Sequence, residues 1–226
     1  MFLAKYRYSM KRRCNLMSQY SSYIARKEAR GIIAKLDAAT HSLHDSLDGN
    51  SQHMFSEKMT LQDYRKLLER FYGFYLPFEQ RYDAIEQMPS WQEVGLDLAQ
   101  RKRLPLLEED LRALGATEEE ISHLAQFEGS KELFSSLPQI IGSLYAIEGS
   151  TQGELMMAPM LGQVLHIDVE HGVTYFNGYG PTQTGVMWNE FQDKINAFAE
   201  RHPEYEEEIL ATARAHFAAT ETWLLG

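Results

Sequence analysis

The sequence is poor in nearly every feature that marks a secreted, membrane-bound or nucleic-acid-binding protein. Its single cysteine, Cys14, rules out an intrachain disulfide. No apolar run reaches the roughly 18 residues of a membrane helix, so no span is expected. The formal net charge of −10 argues against nonspecific binding to nucleic acid or to an anionic membrane. HExxH, GxSxG and the phosphate-cradling GxxxxGK[ST] are all missing. There is no internal repeat and no low-complexity linker. A di-iron carboxylate bundle would want Glu-x-x-His on two helices, and Glu120 with His123 supplies just one. His53, His166, His171, His202 and His216 are scattered. Arg101, Lys102 and Arg103 form a small basic cluster that reads as solvent-facing, a place for solubility or for an acidic redox partner. Residues 1–17 read as a basic leader, with Lys5, Arg7, Lys11, Arg12 and Arg13 and no acid over the first 13. They lack the apolar stretch of a secretory signal, and a reduced, cytoplasmic setting is expected.

Strand signals are as scarce as cysteine. The segment 166–180 reads as a connector and is the one place with room for a short strand. Helical signals follow one another over residues 18–226, which read as a single all-α domain of about eight helices. Residues 18–48 form one or two helices, with Gly31 as a break. Residues 48–59 are a loop. Thr60 with Asp63 marks a helix start, and Pro77 kinks or divides the helix spanning 60–87. Gly115 caps a helix end, and Thr117 with Glu120 is a capping box opening the next one. A glycine-bearing helix fills 131–165. Two more span 182–200 and 203–224. Glu118–Glu120 and Glu206–Glu208 are read as solvated faces.

Two segments carry chemistry. In the first, residues 36–48, Thr40, His44 and Asp48 are spaced i, i+4, i+8 on one helical face. His44 shares an apolar stripe with Ile33, Leu36 and Leu47. A neutral imidazole there can ligate a metal while an acceptor one turn on, Asp48, holds its other nitrogen. A hydrogen-bonded core histidine fits the same pattern, and His41 is the competing ligand. In the second segment, 143–161, Gly149 and Gly153 interrupt a long apolar helix. Each glycine costs about 1 kcal/mol against alanine in a helix interior. At i, i+4 they bare the backbone on one face, with Gly142 seven residues earlier, and a kink is expected. Such a face admits either a close-packed helix or something flat.

Four pieces in order resemble the heme oxygenase family, and most nearly its bacterial phytochrome-associated members. They are L-x-x-A-T-x-x-x-H-x-x-x-D at 36–48, L-L-x-x-F-Y-G-F-Y-x-P-x-E at 67–79, L-Y-x-I-E-G-S-T-x-G at 144–153 and F-x-G-Y-G-x-x-x-x-x-x-M-W-x-x-F at 176–191. The resemblance implies an all-α fold with heme held between a proximal helix and a kinked distal helix. It implies His44 as the iron ligand, with Thr40 and Asp48 on the same face. It implies Gly149, Ser150 and Gly153 as the catalytic stretch, the glycines lying over the heme. The implied reaction cleaves heme to biliverdin, CO and ferrous iron. It uses O₂ and electrons from an external reductase or ferredoxin, and a bilin-accepting phytochrome is a further expected partner. A non-enzymatic heme- or tetrapyrrole-binding protein on the same fold is the alternative.

Some positions depart from the family pattern. Gln152 replaces an apolar residue, and Glu154 replaces the second glycine of a pair. Asp37 stands where a lysine usually pairs with a heme propionate, and Asn189 follows Trp188 where arginine is usual. If Glu154 points into the pocket, it fills space meant for the ring. Lys35, Lys194 or Arg201 would then have to serve the propionates.

Overall fold

The computed structural model describes residues 29–226; the expected leader, with the rest of residues 1–28, lies outside the described residues. Among the described residues every regular element is helical. The long helices are α1 (Gly31–Ser51), α2 (Leu61–Glu79), α4 (Leu137–Leu165), α5 (Gly180–Arg201) and α6 (Glu206–Leu225), and α3 (Leu104–Ala113) is a shorter strut. Short helical segments join them. At 166–180 the chain makes no strand but one helical turn, Thr174–Asn177. The reason is local. Asp110 accepts both the Thr174 and Tyr175 N–H at 2.8 Å, which caps a helix start, and Gly178 at φ +50° ends it.

The local signals explain most boundaries. Thr60 and Asp63 form a capping box that opens α2, and Thr117 and Glu120 form another. Gly115 at φ +82° ends α3, where the Ala116 N–H reaches back to the Leu111 carbonyl at 2.9 Å. The expected helix over 131–165 is two pieces, Ser130–Leu133 and α4, because Ser136 and Gln139 build a new capping box between them. Pro77 does more than stop α2. Lacking an N–H, it leaves the Gly73 carbonyl free inside the helix. That carbonyl accepts the Phe127 N–H at 2.9 Å instead. A side chain at Gly73 would collide with the backbone of Ala125, so the glycine and the proline together seat the 125–127 segment.

The core is continuous through Leu36, Leu68, Phe78, Leu107, Leu144, Phe191 and Ile209, all fully buried. Helix senses follow from contacts near both ends. Lys35 pairs with Glu206 at 2.6 Å and Ser46 bonds Glu221 at 2.9 Å, so α1 runs with α6. Ser136 bonds Glu208 at 2.7 Å and Gly142 lies on Ile209 and Thr212, so α4 runs with α6 as well. Helix α5 runs against them, with Asn196 beside Gly31 and Trp188 beside Gly149. Both α1 and α4 lie along α5 and α6, yet they barely touch one another.

Helix α3 is tied in by two buried carboxylates. Glu79, at the end of α2, accepts the Arg103 and Leu104 N–H groups at the start of α3. Burial pushes its carboxyl up to about 7 against those hydrogen bonds. The folded-state value is raised above the unfolded one, near 4.5. The stability this group contributes is therefore complete below about pH 4.5 and is lost as pH rises toward 7. Denaturant midpoints of the wild type should fall from pH 5 to pH 8, by at most about 3 kcal/mol from this group. In Glu79→Gln that slope should flatten. An equal slope in both proteins would show that Glu79 does not titrate in this window.

Candidate functional site

Thr40, His44 and Asp48 occupy one face of α1. Thr40 is buried and gives its hydroxyl proton to the Leu36 carbonyl at 2.8 Å. His44 Nδ1 lies 3.3 Å from Asp48 Oδ2, the one-turn hold expected from the spacing. The His44 ring meets Phe217 of α6 edge-on, 5.9 Å between centroids. Its burial differs from the expectation, because the side chain is 54% exposed and does not sit on a covered stripe. Helices α5 and α6 cover Ile33, Leu36 and Thr40, and past Thr40 that cover ends. His41 is more exposed still and pairs outward with Asp45 at 3.5 Å. His216 is the histidine that is truly buried, against Phe74 and Phe78, and burial pushes it down to about 3, so it stays neutral.

The glycines of α4 divide by role. A side chain at Gly142 would sit 2.5 Å from the Ile209 carbonyl, so Gly142 serves close contact with α6. At Gly149 the nearest atom would be the edge of Trp188 at 3.8 Å, and at Gly153 nothing lies within 4 Å. The close-packed reading thus holds for Gly142, and the open face for Gly149 and Gly153. The helix stays unbroken from Leu137 to Leu165 despite these glycines and Pro159.

These two faces open side by side. The Tyr145 hydroxyl, on α4, lies beside the Thr40 hydroxyl of α1. Burial lifts the Tyr145 phenol above its ordinary range, Thr40 works against that, and the Asp37 charge adds to it. Since α1 and α4 run in the same sense, one turn past this contact brings His44 on one side and Gly149 on the other. A further turn brings Asp48 and Gly153. Phe217 backs His44, while Trp188, stacked on Phe191, flanks Gly149. The open strip between the His44 face and the bare backbone of Gly149 and Gly153 is the candidate slot. The more enclosed concavities lie elsewhere. One of about 540 Å³ is near Arg70, Phe127 and Trp223, and one of about 260 Å³ is behind α4 near Pro159 and Asn177. Among the described residues no three His, Cys, Asp or Glu side chains converge as they would around a bare metal ion.

The back of α4 holds what the sequence hid. Arg101 and Arg103 are not solvent-facing, since both are 1% exposed, and Lys102 alone of the three reaches the surface. Arg101 pairs with buried Glu148 and reaches Glu190 at 2.9 Å, while Tyr179 donates to Glu148 at 2.9 Å. Burial raises the Glu148 carboxyl, and Arg101 and Tyr179 oppose that rise. Arg103 pairs with Glu154, and its guanidinium lies 4.7 Å over the Tyr175 ring. Burial works against the Arg103 charge, and Glu154 with its neighbouring tyrosines more than restores it. Glu154 therefore turns inward to Arg103 and leaves the slot clear. The signal that could have found these pairs is that Arg101 and Arg103, two apart before a helix, meet Glu148 and Glu154 on a helix otherwise too apolar to carry charge. Gln152 is buried too, with its Oε1 lacking a partner, as does Asn189 Oδ1.

The heme oxygenase family model matches residues 30–225, nearly everything the structure describes. The chain belongs to the heme oxygenase family. No curated protein matches it significantly. A heme-related role follows from the family. Space is open where a side chain would stand at Gly153, only the edge of Trp188 comes near at Gly149, and His44 is engaged through Nδ1, which leaves Nε2 for a ligand. No helix of the described residues is long and apolar enough to cross a membrane.

The Arg103–Glu154 pair yields a stability test. Removing one partner of a buried pair leaves an uncompensated charge and costs about 3–5 kcal/mol. Glu154→Gly should lower the stability of the ligand-free protein by an amount of that order, in denaturant or thermal melts. Adding Arg103→Met should recover most of the loss. An unchanged melt for Glu154→Gly alone would mean that the pair is open to water in solution.

Proposed function

We propose that this protein binds heme between α1 and α4 and cleaves it, with O₂ and electrons from a separate donor protein, to biliverdin, CO and ferrous iron. The observation that carries this reading is the slot itself, where His44 and the bare backbone of Gly149 and Gly153 emerge side by side beyond the Thr40–Tyr145 contact. Bound heme supplies the redox-active iron and is itself the substrate. His44 would hold the iron through Nε2, with Asp48 fixing the ring and its tautomer from Nδ1. Thr40 and Tyr145 set the depth of the slot. Gly149 and Gly153 would let a flat ring approach the helix backbone, where no side chain stands in the way. Ser150, half-exposed beside them, offers a hydroxyl oxygen that orders water on that side. Trp188 and Phe217 keep the edges apolar and limit bulk water.

One observation favours the non-enzymatic reading. The cations expected to meet the propionates are already engaged. Lys35 is with Glu206, Lys194 with Glu190 at 2.9 Å and with the Gly95 carbonyl, and Arg201 with the Glu93 carbonyl at 3.0 Å. Asp37 is exposed on the His44 face and would repel a propionate.

The tests separate these readings. Added hemin should give a sharp Soret band saturating at one equivalent. His44→Ala should weaken or reshape it while His41→Ala should not, and the reverse result would put the ligand on the other histidine. With a reductant and O₂, the bound heme should yield a bilin band and CO, and catalase should not stop the reaction. Soret bleaching without a bilin would favour a binding protein. Asp37→Lys should tighten hemin several-fold at low salt and less at high salt. Unchanged affinity at low salt would place the propionates away from Asp37.

A further inference from the structure

Ser150 stands beside Gly149 at the open slot, and its hydroxyl has one proton and two acceptors in reach. These are the Ile147 carbonyl at 2.8 Å and Glu154 Oε1 at 3.0 Å. The Tyr175 phenol donates to the same Oε1 at 2.7 Å, and its oxygen lies 3.4 Å from the Tyr75 hydroxyl. Tyr75 also lies near Ser150, so three hydroxyls gather around one carboxylate oxygen. Arg103 holds the other oxygen. The groups facing Glu154 are thus Arg103 from the chain before α3, Tyr175 from the short turn, and Tyr75 from α2. Glu148, Arg101 and Tyr179 form the neighbouring cluster, and Glu79 holds the Arg103 backbone. Burial pushes Tyr75 up to about 12, and the Glu154 charge adds to that, so these phenols stay protonated as donors.

An anion in this position takes hydroxyl protons and gives none. Ile147 and Glu154 therefore both draw the Ser150 proton, which leaves its oxygen to accept from elsewhere. A neutral amide at the same position could donate to Ser150 and turn that proton outward. The heme oxygenase pattern carries a glycine here, which can do neither. We propose that Glu154 is a positioning residue that fixes Ser150 as a hydrogen-bond acceptor toward water held over Gly149 and Gly153. The proposal rests on the heme-binding reading above. It assigns a role to the carboxylate that departs most from the family pattern. An acceptor backed by a carboxylate disfavours hydroxide in that place, because hydroxide wants a donor and repels the negative charge.

The test is the pH midpoint of the Soret shift that accompanies ionisation of water in the hemin-loaded protein, read without turnover. Glu154→Gln should lower that midpoint by roughly 0.5 pH unit or more, since the amide supplies a donor and removes a charge. Ser150→Ala should remove most of the effect of Glu154→Gln, because residues acting as a unit are not additive. An equal shift in both backgrounds overturns the proposal, as it would show a through-space charge effect that bypasses Ser150. A midpoint unmoved in a folded Glu154→Gln protein also overturns it. Should Glu154→Gln fail to fold, Ser150→Ala alone decides, and a midpoint equal to wild type rejects the role. A protein that gives no Soret band with hemin fails at the earlier step, in the heme-binding reading itself.

Discussion

The burial of two carboxylates behind the glycine-bearing helix is the constraint on which the rest of the site depends. Glu148 and Glu154 lie on the inner side of α4, and each needs a guanidinium to be tolerated there. Arg101 and Arg103 supply them from the segment leading into α3, so α3 must sit where it does. Its position is then fixed again from both sides. Glu79 of α2 caps its start, and its own Asp110 caps the turn that carries Tyr175. Through this chain of ties the back of α4 is held by α2, α3 and the 174–177 turn at once. The front of α4 can therefore afford to be bare. A helix with glycines on one face has little packing energy of its own there, and the buried pairs provide a fixed seat in its place.

The two walls of the slot are held very differently. The α4 wall is anchored by buried, hydrogen-bonded charges. The α1 wall, past Thr40, is held by Phe217 against His44, by a half-buried bond from Ser46 to Glu221 and by an exposed one from Asn50. Exposed bonds of this kind are weak because water competes for them. The rigid side is thus the bare backbone of α4, and the softer side carries the imidazole. Local stability varies within a fold in this way, and binding elements come from its low end.

Much of the fold was legible in the sequence because its signals are local. Thr60 with Asp63, Thr117 with Glu120, and Gly115 each act within one turn, and each formed as expected. The i, i+4 spacing of His44 with Asp48, and of Gly149 with Gly153, is a property of the helix alone and survived intact. The failures were tertiary. Arg101 and Arg103 looked like surface residues, because nothing within the segment reveals a carboxylate 47 or 51 positions away. Glu154 looked like an obstruction, because its partner could not be seen. The 166–180 stretch looked open to a strand, because the capping carboxylate, Asp110, lies on another helix. The exposure of His44 was hidden for the same reason, since helical period gives the face of a residue but not where its cover stops.

The shared sense of α1, α4 and α6 also bears on the order of folding. Parallel helices cannot be joined by tight turns, so their contacts close long stretches of chain. Lys35 meets Glu206 across 171 residues. At synthesis rates of roughly 5–20 residues per second, α1 is made about 10–30 s before the helix it lies along. During that interval its apolar residues, Ile32, Ile33 and Leu36, have no α6 to cover them. The histidine wall of the slot is therefore among the first parts of the described chain to be synthesised and among the last to be assembled. A nascent chain that has completed α4 still lacks α6, the helix whose Phe217 backs His44.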